Sequence, residues 1–104
     1  MKANTLYKVH ENDDCDKFQN IVRYLYYKGY DIRPIQIVER NFPSNINQLP
    51  TIIHNYNNIE GLNKIVLYYE KLLGMTNVLN NATDFCLKNP NYRINDRSTH
   101  KKLL

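Results

Sequence analysis

Residues 5–39 read TLYKVHENDDCDKFQNIVRYLYYKGYDIRPIQIVE, and this stretch predicts a strand, a helix and a second strand. Residues 5–9 are rich in β-branched and aromatic types that alternate with polar ones, as in a half-buried strand. The polar cluster 11–14 supplies N-cap residue types, and the apolar residues of 15–28 recur at helical spacing. Gly29 is placed as a C-terminal cap, and residues 32–39 form the second strand. The predicted order is β-α-β.

The following residues predict two further strands and a second helix. Residues 50–54 (PTIIH) form a third strand. Residues 55–58 (NYNN) are typical of a turn, and a short fourth strand ends near Ile59. Apolar residues recur at helical spacing over 62–72, and Gly74 ends this helix. The order β-β-α therefore follows β-α-β, which predicts an α/β fold. Residues 78–87 predict one further short helix.

The net charge of +4 is distributed unevenly along the chain. Residues 1–75 contain nine Lys/Arg and eight Asp/Glu, whereas residues 76–104 contain five and two. We therefore predict a nearly neutral domain over 1–75 and a basic polar C-terminal tail over 76–104. The cations of the tail are interspersed with Asn, Pro and Ser, and only Tyr92 adds an aromatic ring. This spacing disfavours a nucleic-acid-binding patch, which needs denser cations and stacking rings.

Several protein classes are excluded by what the sequence lacks. No apolar run approaches the ~20 residues of a membrane span, and the N-terminus has no apolar signal segment. Two distant cysteines and three scattered histidines (His10, His54, His100) predict neither a disulfide scaffold nor a metal site. We expect an intracellular, cytoplasmic protein with reduced thiols. Sixteen asparagines and nine tyrosines against two alanines suggest an AT-rich genome, such as that of a large DNA virus.

Three segments at matching spacing resemble the glutaredoxin family, and with it the thioredoxin-like fold. Residues 15–18 (Cys-Asp-Lys-Phe) and 28–32 (Lys-Gly-Tyr-Asp-Ile) are similar to the family's Cys-Pro-Tyr-Cys motif and its Lys-Gly-Tyr-Glu-like stretch. Residues 49–52 (Leu-Pro-Thr-Ile) resemble the segment whose cis-proline faces the active cysteine. Residues 59–63 (Ile-Glu-Gly-Leu-Asn) resemble the Ile-Gly-Gly-x-Asp stretch that receives glutathione. The resemblance covers residues 4–74.

The resemblance implies a single nucleophile and a glutathione site. Cys15 would be the nucleophile, but the second cysteine of the family falls on Phe18, so exchange between two thiols of the motif is impossible. The implied glutathione-binding residues are Lys17, Pro50, Thr51, Gly61 and Asn63. Pro50 is expected to follow a cis peptide bond.

The charges around Cys15 disfavour thiol chemistry. A nucleophilic cysteine needs a pKa well below about 8.5. Asp13, Asp14 and Asp16 flank the sulfur, and Lys17 is the one adjacent cation. These carboxylates predict a thiol that stays mostly protonated, because each disfavours a second negative charge nearby. The carboxylate of Glu60, at the expected glutathione site, would also repel an anion.

Two functions from different classes follow. The first is a redox-degenerate glutaredoxin-like module without a cofactor, which serves as a structural or protein-interaction component of a virus particle or another assembly. Exposed tyrosines suit protein interfaces, and some tyrosines of the first helix lie outside its apolar stripe. The predicted partner contacts are Tyr24, Tyr27, Arg93, Arg97 and Lys101. The alternative is a monothiol thiol-disulfide oxidoreductase that uses glutathione. The sequence leaves the partner and the oligomeric state open.

Overall fold

The computed structural model describes residues 4–94 and 102–103. The helices and strands, in chain order, are β1 Thr5–Tyr7, α1 Asp13–Tyr27, β2 Tyr30–Asp31, β3 Gln36–Val38, β4 Thr51–His54, β5 Asn57–Glu60, α2 Leu62–Leu73, α3 Val78–Lys88 and β6 Lys102–Leu103. The predicted α/β class is confirmed. None of the helices within the described residues has the length and apolar character that crossing a membrane would require.

The second predicted strand is the element that differs most from expectation. Residues 32–39 were expected to be continuous, but β3 begins only at Gln36, and β2 pairs with β6 in a separate parallel ladder. Pro34 lies between β2 and β3. Proline has no backbone N–H to donate, so it interrupts strand pairing at this point.

The main sheet has the strand order β3-β1-β4-β5. β1 runs parallel to β3 and antiparallel to β4, and β4 runs antiparallel to β5. The register aligns Ile37, Leu6, Ile52 and Ile59 side by side across the four strands. Because paired residues place their side chains on the same face, these four form one apolar row. Leu6 lies at its centre with no exposed surface.

Each of the three helices within the described residues contributes side chains to one hydrophobic core. Its fully enclosed members are Leu6, Ile21, Leu25, Ile65, Val78 and Ala82. The most extensive contact between any two described elements joins α1 to α3. The division of the chain after Met75 stays a prediction, but α3 is packed into the core instead of extending away as a tail. Arg97 and Lys101 lie outside the described residues.

Asp31 anchors the chain between β2 and β3 through Arg33. The Arg33 backbone N–H and its Nε and Nη2 atoms donate to the Asp31 carboxylate at 3.1, 2.9 and 2.7 Å. The side-chain hydrogen bond from Arg33 is the largest cause that lowers the pKa of Asp31, although burial opposes it. The carboxylate is therefore held ionised in the folded state.

We expect Asp31→Asn to lower the free energy of unfolding at neutral pH by about 1.5–3 kcal/mol, because the amide loses a charge-assisted bond. The folded pKa lies below the unfolded value of about 3.9, so this stabilisation is present above that value and lost as the pH falls through the folded pKa. Urea unfolding at neutral pH and in acid should show the two proteins converging in acid. Equal stability at neutral pH would contradict the role of this carboxylate.

Candidate functional site

Cys15 lies in the first turn of α1, where the sequence predicts the nucleophile. Asn12 is the N-cap, and its Oδ1 accepts a hydrogen bond from the Cys15 backbone N–H at 2.9 Å. The Asn12 carbonyl accepts from the Asp16 N–H at 3.0 Å, so the helix begins in a well-capped turn. Cys15 itself is only 2% exposed. The expected thiol is present, but it is enclosed.

The pKa of the Cys15 thiol is raised above its ordinary value. Burial is the largest cause, because it disfavours the charged thiolate. A backbone hydrogen bond from Val9 and the Lys8 ammonium lower the pKa, whereas Asp16 and Asp14 raise it. The direction is the one that the sequence predicts, but the carboxylates are the smaller cause. Lys8 was missed because it lies on the segment after β1, and its distance from Cys15 depends on how the loop between β1 and α1 folds.

Pro50 and Thr51 are buried and do not lie on the surface of the protein. The Leu49–Pro50 peptide bond is cis, as predicted. The Pro50 carbonyl accepts from the Gly61 N–H at 2.9 Å, and the Thr51 hydroxyl donates to the Gln48 carbonyl at 2.5 Å. Thr51 pairs with strands on both sides and has no exposed surface. The Pro50 side chain is also fully buried. Strand pairing on both sides encloses Thr51, and the contact of these two residues with glutathione stays a prediction.

A cleft of about 270 Å³ lies at the N-terminal end of α2. Its lining residues are Asp14, Gln48, Glu60, Gly61, Leu62, Asn63 and Lys64. Gly61 and Asn63 were predicted to bind glutathione and are brought together here, whereas exposed Lys17 is not part of the lining. Asp14, next to the buried thiol, belongs to the wall that α1 contributes.

Gly61 shapes the floor of the cleft. It is the N-cap of α2 with φ 90°, a conformation that disfavours residues with a Cβ. A Cβ at this position would also collide with the Gln48 side-chain amide. Because glycine has no side-chain acceptor, the first N–H groups of α2 end at the cleft without a cap from Gly61. Glu60 closes the other side, where its Oε1 accepts from the Asn47 N–H at 3.1 Å.

The cleft combines charges of both signs. The N-terminus of α2 carries a partial positive charge, and Lys64 adds a full one. Asp14 and Glu60 contribute two carboxylates. This arrangement suits a small molecule that bears both a carboxylate and an ammonium group. Within the described residues, no group of three or more His, Cys, Asp and Glu side chains is placed to hold a metal ion.

Of the predicted partner contacts, Tyr24 is buried against α3, and its role as a contact stays a prediction. Its ring lies 5.8 Å from that of Phe85, and the residue is only 9% exposed. The physical reason is the packing of α3 on α1, which covers the face that was expected to point outward. Tyr27, one turn further along α1, remains 55% exposed. Its role as a partner contact stays a prediction.

Tyr27, Phe85 and Tyr92 form an aromatic cluster between α1, α3 and the residues after α3. The Tyr27 ring centroid lies 4.6 Å from that of Phe85 and 5.9 Å from that of Tyr92. Arg23 Nη2 donates to the Tyr92 carbonyl at 2.7 Å, which holds this segment against α1. Arg93 is exposed beside the aromatic cluster. Of the predicted contacts, Tyr27 thus belongs to this cluster, and Arg93 directly follows Tyr92 in the chain.

Neither a family model nor a curated protein nor a solved structure matches this chain. The geometry of the buried thiol, the cleft and the aromatic cluster is therefore the basis for a functional proposal.

Proposed function

We propose that this chain is a glutaredoxin-like module of thioredoxin-like topology that has lost its thiol chemistry and acts by binding a protein partner. The burial of Cys15 carries this proposal. The topology is supported by β1 lying between a parallel and an antiparallel neighbour and by the cis-proline immediately before β4. An assembly inside a cell, such as a forming virus particle, remains the proposed setting.

The buried thiol is poorly suited to attack a disulfide. The nucleophile is the thiolate, and both the burial of Cys15 and its raised pKa disfavour that form. Attack also needs a disulfide sulfur to reach Sγ, which an exposure of 2% does not permit without opening the first turn of α1. Phe18, at the position of a second cysteine, is a core residue. The site therefore lacks both access and a resolving thiol.

The surface that supports partner binding is the aromatic cluster with Arg93. Aromatic residues and arginine are enriched at protein interfaces, because they bury large areas and still offer polar atoms. The Arg93 Nη1 atom donates to the Tyr92 carbonyl at 3.2 Å and to the Pro90 carbonyl at 3.4 Å. These contacts hold the exposed guanidinium beside the Pro90 and Tyr92 carbonyls, which lowers the entropic cost of binding.

A second candidate, a monothiol oxidoreductase, is favoured by the cleft. Its opposite charges match the carboxylate and ammonium of a γ-glutamyl group, and its wall includes Asp14, the neighbour of Cys15. The Cys15 thiolate would attack the glutathione sulfur of a mixed disulfide and release the protein thiolate. A glutathione thiolate would then attack the new mixed disulfide, releasing the Cys15 thiolate and oxidised glutathione.

Thiol reactivity distinguishes the two functions. In a Cys86→Ser background, Cys15 is the one remaining cysteine. We expect its reaction with an aromatic disulfide reagent to be at least about 100-fold slower in the folded protein than in urea, because reaction requires local opening. The folded-state rate should still rise above pH ~9, since the pKa is raised.

A Cys15→Ser variant is the matched control, since it reports the reactivity of Cys86 alone. Wild type and control should show the same negligible glutathione-dependent reduction of a mixed-disulfide peptide. Turnover that Cys15→Ser abolishes, with a rate that levels off near pH ~6–7, would overturn the proposal in favour of the oxidoreductase.

A further inference from the structure

The solvent-facing side of α2 carries an exposed apolar residue between two cations. Lys64, Leu67 and Lys71 follow one another at helical spacing, so they form one row along the helix, here called the α2 ridge. Leu67 is 64% exposed, and both lysines are exposed as well. Tyr68 and Leu72 form the neighbouring row, in which Leu72 is 46% exposed. The solvent-facing side of a helix normally carries polar residues, so this combination requires an explanation.

The two lysines of the α2 ridge have no counter-charge on their own helix. Glu70 is the one acidic residue of α2, and its Oε2 accepts from the first N–H of α3 at 3.0 Å. No ion pair joins Lys64 or Lys71 to a carboxylate of the described residues. Lys64 also lines the cleft, where Asp14 and Glu60 lie beyond ion-pair distance. The ridge therefore presents positive charge that the fold does not neutralise by contact.

Lys64 occupies a position that the helix itself disfavours. It lies in the first turn of α2, which contains no acidic residue. Because the N-terminus of a helix carries a partial positive charge, a carboxylate there is stabilising and an ammonium group is not. Residues that break such a local preference are expected where function requires them. Binding therefore explains the charge of the ridge better than the stability of α2 does.

An acidic amphipathic helix matches the α2 ridge in shape and in charge. The backbone groups of α2 are bonded within the helix, so an occupant must be recognised through side chains, as in the packing of one helix on another. Lys64 and Lys71 lie two turns apart, a distance of about 10.5 Å along the helix axis. Two carboxylates at the same spacing on a second helix can pair with them. An apolar residue between those carboxylates then meets Leu67.

Other occupants fit this surface less well. Two copies that paired through the same ridge would bring lysine opposite lysine, which is repulsive. Recognition of an anionic membrane uses clusters of about four to eight cations, and the ridge has only Lys64 and Lys71. Single-stranded nucleic acid stacks on exposed aromatic rings beside cations, and the ridge itself contains no aromatic residue. Charge and composition therefore favour an acidic protein segment.

We infer that the α2 ridge binds an amphipathic helix of a partner protein that carries two carboxylates two turns apart with an apolar residue between them. The carboxylates pair with Lys64 and Lys71, and the apolar side chain covers Leu67. The surface belongs to α2, so the inference depends neither on the thiol nor on the aromatic cluster between α1 and α3.

NMR titration of the isotope-labelled full chain with two synthetic peptides tests the inference. The acidic probe repeats the heptad Glu-Leu-Ala-Ala-Leu-Glu-Ala twice, and the basic probe has lysine in place of each glutamate. At low ionic strength, where charges are weakly screened, the acidic probe should bind at least about 10-fold more tightly than the basic probe and shift the amide signals of α2. Leu67→Asn should weaken this binding at least about 5-fold, because it removes the apolar contact.

Charge reversal identifies the binding site. Lys64→Glu combined with Lys71→Glu should reverse the preference, so that the basic probe binds more tightly. Lys28→Glu combined with Arg40→Glu is the matched control, since it changes the net charge equally at two exposed residues outside α2. This control should keep the preference for the acidic probe. Equal affinity of the wild type for both probes, or a control that loses the preference, would overturn the inference.

Vesicles of phosphatidylserine and phosphatidylcholine distinguish a membrane from a protein partner. The wild type should stay in the supernatant when such vesicles are sedimented, because two lysines attract an anionic surface only weakly. If the wild type instead sediments with the vesicles and ignores the acidic probe, and Lys64→Glu combined with Lys71→Glu abolishes this, the ridge recognises lipid and the inference is wrong.

Discussion

Ala82→Asp is expected to lower the free energy of unfolding by at least about 4 kcal/mol, because it buries a carboxylate without a partner. Ala82 has no exposed surface and lies in α3, which packs against α1. Since small domains are stable by only about 5–15 kcal/mol, much of the population should unfold. Far-UV circular dichroism and urea unfolding measure both effects.

Asn81→Asp is the control, because it introduces the same carboxylate at the neighbouring exposed position of α3. Its stability should remain within about 0.5 kcal/mol of the wild type. Equal stability of the Ala82 and Asn81 variants would show that α3 is dispensable to the core. The boundary predicted after Met75 would then describe a true tail. If the expected difference is found, a chain that ends at Met75 should lack cooperative unfolding.

Phe18→Cys is expected to lower the free energy of unfolding by about 2–4 kcal/mol under reducing conditions, because it leaves a cavity in the core. The substitution restores a Cys-x-x-Cys spacing at the start of α1. It should nevertheless produce no glutathione-dependent turnover, since Cys15 stays buried. Urea unfolding and an activity assay with a mixed-disulfide peptide measure the two outcomes.

Phe42→Cys is the matched control, because Phe42 is only partly buried and meets the Tyr7 ring edge-on at 6.1 Å between centroids. Phe42→Cys should lower the free energy of unfolding by less than about 1.5 kcal/mol. A Phe18→Cys protein that keeps wild-type stability and turns over the mixed disulfide would refute the view that packing excludes dithiol chemistry here. The proposed loss of thiol function would then be wrong.

Features that depend on neighbouring residues were predictable from the sequence. α1 and α2 follow from helical spacing of apolar residues and from the glycines that end them. The turn between β4 and β5 places Asn55 and Tyr56 at φ 50° and 68°, and asparagine tolerates such angles. The cis bond before Pro50 was also expected from the resemblance. Each of these depends on backbone preferences that a few adjacent residues express.

The lining of the cleft and the burial of Cys15 were less predictable from the sequence. Gly61 and Asn63 were anticipated on the cleft, but Asp14 and Gln48 come from segments distant in sequence. The enclosure of Cys15 is a property of the packed domain, whereas the flanking carboxylates, which the sequence displays, are a minor influence on its pKa. The sequence could not show which tyrosines of α1 are buried and which are exposed, because no residue pattern near Tyr24 indicates that α3 covers it.

The order of the main-sheet strands and of the helices was thus contained in local residue patterns, because strand and helix periods and turn residues act within a few positions. Burial has a different origin, since it depends on which distant surfaces meet. The packing of α3 on α1 enclosed Tyr24 and brought Val78 and Ala82 into the core. The same folding enclosed Cys15, whose burial depends on contacts between segments that are distant in sequence.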